Sequence, residues 1–185
     1  MSPTLARAAC ALLALTLLFG ALSPRDARAE PAAFPSASGH NLNGDAVEVP
    51  RDLKGGTNLV YVAFLPAQQA QVDSWQPFAA GLARRYPSFR AYQLPIVSST
   101  YAFVRGYLDN VMRGAIADTA GRESTITLFL DKAAFERSLG IASEREISVF
   151  LITPHGEILW RTTGAYDPAS PPDIARIVSR APALR

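Results

Sequence analysis

A continuous run of β-branched and aromatic residues, Asn58 to Leu65, places the strongest constraint on the fold of this chain. Such a run predicts a strand that is buried on both faces, as in a sheet covered by helices. Pro66 ends the run, and a stripe of apolar residues at helical spacing follows: Trp75, Phe78, Ala79, Leu82 and Tyr86. The pattern therefore predicts a strand followed by a helix that packs against the sheet.

The rest of the chain repeats this alternation of short strands and helices. The predicted elements are hairpins over 39–49 and 147–161, strands over 89–97 and 125–130, and helices over 131–139 and 173–180. This order predicts a single α/β domain of three layers, with a mixed sheet and helices on both of its faces.

A further helix is predicted over 102–117. Its apolar side is expected to be buried, through Val104, Leu108, Val111, Ala115 and Ile116. Arg105, Asp109 and Arg113 follow one another at intervals of four, which predicts a charged row exposed to solvent on the other side. A loop over 120–124 is expected after this helix.

The first 29 residues have the features of a secretory signal peptide. Arg7 supplies a positive charge, and residues 8–22 form an apolar run that is too short to span a bilayer, which needs about 20 apolar residues. Small residues at Ala27 and Ala29 mark a cleavage site, so the mature chain is expected to begin at Glu30. An uncleaved membrane anchor is the alternative.

Cleavage after Ala29 defines the expected layout of the mature chain. Residues 30–38, rich in Pro, Ala and Ser, are predicted to be a flexible lead-in. One domain is expected over 39–181, with a short tail over 182–185. The expected location is the periplasm or the exterior of the cell.

Charge and hydrophobicity exclude two classes of partner. Without the leader, the chain has equal numbers of acidic and basic residues and no cluster of Lys and Arg, so we expect no nucleic-acid binding. No later apolar run approaches the length of a membrane span, so the mature form is not expected to cross a membrane.

The chain contains one cysteine, Cys10, and it lies in the predicted leader. The mature chain should therefore contain no thiol and no disulfide, although its compartment would permit disulfides. Its two histidines, His40 and His155, are far apart in the sequence, and no metal-ligand spacing is present. We expect no metal and no bound cofactor.

The order of elements and several local motifs resemble the thioredoxin superfamily, in particular its redoxin and peroxiredoxin-like branch. The resemblance covers about residues 39–180. Its second half rests on these motifs: Ile126 to Asp131, Leu139-Gly140-Ile141, Phe150-Leu151-Ile152, Gly156-Glu157-Ile158 and Gly164. The resemblance implies a thioredoxin-like fold, in which a CxxC motif after the first buried strand would carry the redox chemistry.

This sequence lacks both halves of that redox site. In the family the strand ends in Phe, the first cysteine follows five residues later, and a helical proline lies five residues after the second cysteine. Phe64 and Pro77 match this spacing, which places the cysteine positions on Gln69 and Val72. The family's cis-proline, expected near 146–147, is also absent. The resemblance therefore implies a redox scaffold without its chemistry.

A narrower resemblance is to cysteine-less relatives, the mitochondrial ATP-synthase assembly factor family. The segments 73–75 (Asp-Ser-Trp) and 77–78 (Pro-Phe) are similar to one of its motifs. The segment 156–160 is similar to its Gly-x-Ile-Arg-Trp pattern, from which this chain departs at Leu159. This resemblance implies a role in assembly.

The predicted turn between strand and helix carries a cluster of amide side chains. The candidate partner-binding residues are Gln68, Gln69, Gln71, Val72, Asp73, Trp75 and Glu146. The amides are expected to hydrogen-bond an extended peptide in the groove where redox relatives bind substrates. The alternatives are that the amides cap an exposed helix start and that Trp75 is a core residue. Asp73 or Ser74 is a plausible helix cap.

The preferred interpretation is a non-catalytic protein of the cell envelope that binds or helps to assemble another protein. Two alternatives stay open at this point. One is a thiol-redox or antioxidant enzyme of the redoxin type, and the other is a small-molecule binding module.

Overall fold

The computed structural model describes residues 33–169 and 172–180, and within them a seven-stranded sheet organises the fold. The strands are β1 Ala37–Asn41, β2 Ala46–Val49, β3 Thr57–Ala63, β4 Phe89–Ser98, β5 Ile126–Leu130, β6 Ser148–Ile152 and β7 Ile158–Thr163. The helices are α1 Gln69–Arg85, α2 Arg105–Ala115, α3 Thr119–Glu123, α4 Lys132–Leu139 and α5 Ile174–Arg180, with 3-10 segments at Pro66–Gln68 and Ser99–Val104. The predicted leader and the tail over 182–185 lie outside the described residues.

The sheet is mixed, as the sequence predicted. Its strands lie side by side in the order β2-β1-β5-β4-β3-β6-β7. β3, β4 and β5 are parallel, and β1 and β6 flank them in the antiparallel direction. Parallel neighbours need crossover connections, which α1 supplies between β3 and β4, and α2 with α3 between β4 and β5.

Helices cover both faces of the sheet, and each face has its own hydrophobic core. On one face α1 and α5 contribute Val72, Trp75 and Ile174. On the other face α4 contributes Phe135 and Leu139. β3 supplies alternate residues to the two cores, as expected for a strand that is buried on both faces. The predicted α/β fold of three layers is therefore confirmed.

Part of the predicted flexible lead-in is ordered. Phe34 is buried, and its ring packs edge-on against Phe135 and Phe150 at centroid distances of 5.9 and 5.6 Å. Its backbone N–H donates to the Gly156 carbonyl at 2.7 Å, and β1 begins at Ala37. The single aromatic residue Phe34 anchors this segment to the core. The prediction rested on the Pro- and Ala-rich composition and did not take this residue into account.

Two local predictions along the helices are wrong. α1 begins at Gln69, directly after the 3-10 segment, so neither Asp73 nor Ser74 caps it. The predicted loop over 120–124 is largely the short helix α3, whose cap is Asp118 accepting a hydrogen bond from the Gly121 N–H.

The segment that contains α2 differs in part from the prediction: Val104, Leu108 and Ile116 are half-buried, whereas Val111 and Ala115 are exposed. None of the residues of the 3-10 segment Ser99–Val104 or of α2 is buried. Val111, which was expected to face the core, is more than half exposed, and so are Phe103 and Tyr107.

The charged row of α2 faces the protein body instead of solvent. Arg113 Nε donates to the Leu42 carbonyl at 2.8 Å, and the Arg105 guanidinium lies 4.8 Å from the centroid of the Phe129 ring. Asp109 is half-buried between these two arginines in sequence. Arg113 thus has the Leu42 carbonyl as its partner, and Arg105 has the face of the Phe129 ring. The spacing of the charged residues in the sequence does not predict either contact.

Phe64 provides a direct test of the core on the α4 side. It is buried at the end of β3, and the Lys132 ammonium lies 5.3 Å from its ring centroid. Phe64→Ala should lower the free energy of unfolding by about 3–5 kcal/mol, measured by chemical denaturation. The half-exposed neighbour gives the control, because Leu65→Ala should cost less than about 1 kcal/mol. Equal costs for the two variants would contradict this placement of the strand end.

Candidate functional site

The two positions that the resemblance assigns to cysteine, 69 and 72, lie at the start of α1, beside the carboxyl end of β3. Gln69 is the first residue of α1 and is exposed. Val72, one turn later, is buried in the core on the α1 side of the sheet. The site therefore has an outer position with an amide side chain and an inner position with an apolar one.

Gln68 ties the end of β3 to the loop that precedes β6. Its Oε1 accepts hydrogen bonds from the backbone N–H groups of Phe64 at 2.7 Å and Leu65 at 3.0 Å. Its Nε2 donates to the Glu144 carbonyl at 2.8 Å. Because the side chain is only 2% exposed, these partners replace water, and the loss of one would leave a buried polar group unpaired.

Gln71 makes the second connection between α1 and the same loop. Its Oε1 accepts a hydrogen bond from the Ile147 backbone N–H at 2.9 Å. Ile147 stands where the sequence predicted that the family's proline is missing, and a proline has no N–H to donate. The Ile147 N–H, which a proline would lack, therefore donates to the Gln71 side chain in the first turn of α1.

Trp75 connects α1 to the segment that follows β7. Its indole Nε1 donates to the Gly164 carbonyl at 3.0 Å, and its ring meets those of Trp160 and Tyr166 edge-on at centroid distances of 6.1 and 5.2 Å. Ser74 Oγ accepts a hydrogen bond from the Tyr166 N–H at 2.9 Å. Trp75 is thus a core residue with a satisfied indole donor.

Comparison with solved structures identifies the architecture. A thiol:disulfide interchange protein from Bacteroides sp. superposes with a TM-score of 0.53 at 18% identity, covering 82% of this chain and 89% of that chain. This chain has a thioredoxin-like fold. No protein-family model and no curated protein matches the sequence.

Two other solved structures that superpose on this chain are described as an assembly protein and as an exposed lipoprotein. BsSco, a member of the Sco family of cytochrome c oxidase assembly proteins, gives a TM-score of 0.53 at 16% identity, covering 82% of this chain and 94% of that chain. The pneumococcal exposed lipoprotein thioredoxin from Streptococcus pneumoniae gives 0.50 at 13% identity, covering 78% and 98% of the two chains. At these identities the similarity establishes the fold.

Four of the seven candidate partner-binding residues have internal roles within this thioredoxin-like fold. Gln68, Val72 and Trp75 are buried, and the Gln71 carbonyl oxygen is occupied by the Ile147 N–H. The side chains of Gln68, Val72 and Trp75 are therefore not available to an extended peptide, and the Oε1 of the half-buried Gln71 already accepts a hydrogen bond. The sequence predicted that amides lie at this turn, but residue type alone does not show whether an amide points outward or inward.

The remaining three candidates form an exposed rim around the same end of the sheet. Gln69 Nε2 donates to Asp73 Oδ1 at 2.9 Å on the surface of α1. Glu146 is exposed and directly precedes Ile147, which α1 holds in place. Leu65, which the sequence analysis did not select, is 48% exposed in the turn between β3 and α1. We call these four residues the rim.

A charged group on α4 fixes the loop that carries Glu144. Lys132 Nζ donates to the Glu144 carboxylate at 2.8 Å, and this hydrogen bond lowers the pKa of Glu144 below its usual value. Glu136 lies near the same carboxylate, and its pKa is raised by burial and by the negative charge of Glu144. Lys132 therefore holds the loop from the α4 side, while Gln68 holds it from the α1 side.

A cleft of about 420 Å³ opens beside the rim, between α1 and the segment of α2 and α3. Its lining includes Gln69, Asp73, Gln76, Gln93 and Asp118, and among the described residues it includes no Lys or Arg. Tyr61 lies at its base; its hydroxyl is buried with no hydrogen-bond partner among the described residues, and burial raises its pKa.

The contrast between Gln68 and its neighbour Gln69 gives a matched test of the site. Gln68→Leu should lower the free energy of unfolding by roughly 2–4 kcal/mol, because two backbone donors and one carbonyl lose their partner in a buried place. Gln69→Leu breaks only an exposed hydrogen bond and should change it by less than about 0.5 kcal/mol. Chemical denaturation of both variants measures the difference. Similar small losses would show that Gln68 is not a structural residue.

Proposed function

We propose that this protein is a non-catalytic thioredoxin-fold module of the cell envelope that binds another protein. The observation that carries this proposal is that Gln69 and Val72, the residues at the predicted cysteine positions, have no thiol and lie next to the hydrogen bonds that the side chains of Gln68 and Gln71 make with the loop before β6. Thiol–disulfide exchange needs a thiolate, and neither side chain supplies one. The hydrogen bonds of the two glutamine side chains hold this end of the fold in one arrangement. A surface that is fixed in advance suits the binding of a partner rather than catalytic turnover.

The rim supports a protein as the partner. It combines an exposed leucine, Leu65, with an amide and two carboxylates, and interfaces of moderate size mix apolar and polar groups in this way. It lies at the carboxyl end of the parallel strand β3, where α/β sheets place their binding sites. BsSco, described as an assembly protein, shows that the fold can serve assembly.

The proposed location rests on two observations. The leader over 1–29 has the pattern of a cleaved signal peptide. The pneumococcal lipoprotein thioredoxin is described as exposed, so the same fold occurs at a cell surface. Among the described residues, no helix is both long and apolar enough to cross a membrane.

An insulin-reduction assay separates this proposal from a redox enzyme. The wild-type protein should show no turnover with dithiothreitol as the electron source. The double variant Gln69→Cys/Val72→Cys is the positive control, because its thiols would lie one turn apart at the start of α1. It should form an intramolecular disulfide and gain weak reductase activity. Turnover by the wild-type protein would overturn the proposal.

Site-specific photo-crosslinking tests the rim as the binding surface. A photoreactive residue at position 69 should link the protein in intact cells to a discrete second protein. The control position is Glu157, exposed in the β6–β7 turn at the opposite end of the sheet. A second protein linked from position 157 and not from position 69 would move the binding surface away from the rim.

The cleft between α1 and α2 favours one second candidate, a small-molecule binding module. Its volume is sufficient for a small ligand, and the Tyr61 hydroxyl at its base has no partner among the described residues. Thermal-shift screening with small polar compounds tests this candidate. A stabilising compound whose effect is lost in Gln93→Leu would support it, and the absence of any shift across the screen would argue against it.

A further inference from the structure

The outward side of the segment 99–115 is an exposed apolar surface. Four large side chains on it are largely uncovered: Tyr101 at 55%, Phe103 at 82%, Tyr107 at 71% and Val111 at 54%. Phe103, Tyr107 and Val111 follow at intervals of four and therefore form a ridge along one side of the segment. Monomeric proteins rarely leave a contiguous apolar patch of this kind without an interaction to cover it.

This surface is also free of charge. The exposed residues of the segment are Ser99, Thr100, Tyr101, Ala102, Phe103, Gly106, Tyr107, Asn110, Val111, Gly114 and Ala115. The charged residues, Arg105, Asp109 and Arg113, are half-buried on the side that faces the protein body. A helix that lies on a membrane exposes Lys and Arg beside its apolar side, so the surface does not have the composition of a lipid-binding helix.

A row of small residues lies beside the ridge. Gly106, Asn110 and Gly114 each follow a ridge position, 103, 107 or 111, by three residues, which makes the two rows neighbours on the segment. A Cβ added at Gly106 or Gly114 would meet no atom within 4 Å, so nothing inside the monomer requires glycine there. Both glycines lie within α2, in its first and last turns, and glycine has a lower helix propensity than every residue except proline. A close approach from outside would account for both glycines.

We propose that this surface is the interface of a symmetric homodimer. A two-fold interface must be self-complementary, since the same patch occurs on both subunits. Here each copy carries an aromatic ridge and, beside it, a groove floored by small residues, so the ridge of one copy fits the groove of the other in the manner of helix packing. The absence of charge means that two identical surfaces meet without repulsion.

The available area agrees with a dimer of moderate affinity. An aromatic side chain buries about 150–250 Å² when it is fully covered, so the three aromatic residues and Val111 offer roughly 400–500 Å² per copy. The small residues beside them add contact area. Two copies together therefore approach the lower end of the range for stable interfaces, about 1,200 Å² in total. The inference is independent of the function proposed for the rim.

Sedimentation velocity over a wide concentration range tests the proposal. The sample is the protein purified from cells that have processed its N-terminus. The wild type should show a concentration-dependent equilibrium between monomer and dimer. Tyr107→Arg should raise the dimer dissociation constant by about tenfold or more, because it places a charge at the centre of the interface. Ala80→Arg, at an exposed position on α1, is the matched control and should leave the equilibrium unchanged.

Gly114→Ala gives a second signature that a folding defect would not produce. It should raise the melting temperature at dilutions where the protein is monomeric, because alanine favours the helix and meets no atom of the monomer. It should nevertheless weaken the dimer, because the added methyl group fills the groove. An unchanged or tighter dimer would show that the ridge does not pack on Gly114.

Three results would overturn the proposal. The first is a wild type that stays monomeric at every concentration. The second is a dimer that Tyr107→Arg leaves intact. The third is a monomeric wild type that floats with phosphatidylcholine vesicles or crosslinks from position 107 to a different protein. If Tyr107→Arg abolishes this behaviour, a membrane or a heterologous partner covers the surface instead of a second copy.

Discussion

The hydrogen bonds of the Gln68 and Gln71 side chains connect three segments at the end of the β3–β6 ladder: the end of β3, the start of α1 and the loop before β6. Gln68 connects the end of β3 to the Glu144 carbonyl, and Gln71 connects α1 to the Ile147 N–H. Phe64 and Ile147, whose N–H groups take part in these bonds, are buried, and an unpaired buried donor costs about 1–3 kcal/mol. The position of the rim depends on these bonds, because the loop that presents Glu146 is fixed between them.

The same bonds explain how the fold can exist without the features of a redox site. A proline at position 147 would leave the Gln71 carbonyl oxygen without its donor, and the isoleucine present supplies that donor. Val72 lies at the second predicted cysteine position and its apolar side chain joins the core. This end of the fold is therefore held by hydrogen bonds and core packing, and its exposed part is the rim.

The sequence predicted the fold well where one physical requirement dominates. The run before Pro66 has to be buried on both faces, and β3 is buried as predicted. The start of α1 was predicted too late, because the expected cap, Asp73 or Ser74, lies inside the helix that begins at Gln69. The direction of the amides was not predictable in this way. A glutamine at a helix start can point to water or to the backbone, and the choice depends on the loop at 144–147, which is distant in sequence.

The orientation of α2 shows a second limit of pattern analysis. The sequence predicts an apolar side that is buried and a charged side that is exposed. In the structure the half-buried side contains Leu108 together with the charged row, and Val111 is exposed. Arg113 and Arg105 find a carbonyl at Leu42 and the ring of Phe129, contacts that only the folded chain brings together. Phe34 was missed for a similar reason, because its partners lie on α4 and β6.

A double-mutant cycle between positions 71 and 147 tests the central claim most directly, that the Gln71 side chain fixes the loop before β6 by accepting a hydrogen bond from the Ile147 N–H. The free energy of unfolding is measured for the wild type, Gln71→Leu, Ile147→Pro and the double variant. Gln71→Leu should cost about 1–3 kcal/mol when Ile147 is present, because the buried N–H loses its acceptor. It should cost much less when proline has removed that N–H. An equal cost in both backgrounds would contradict the account.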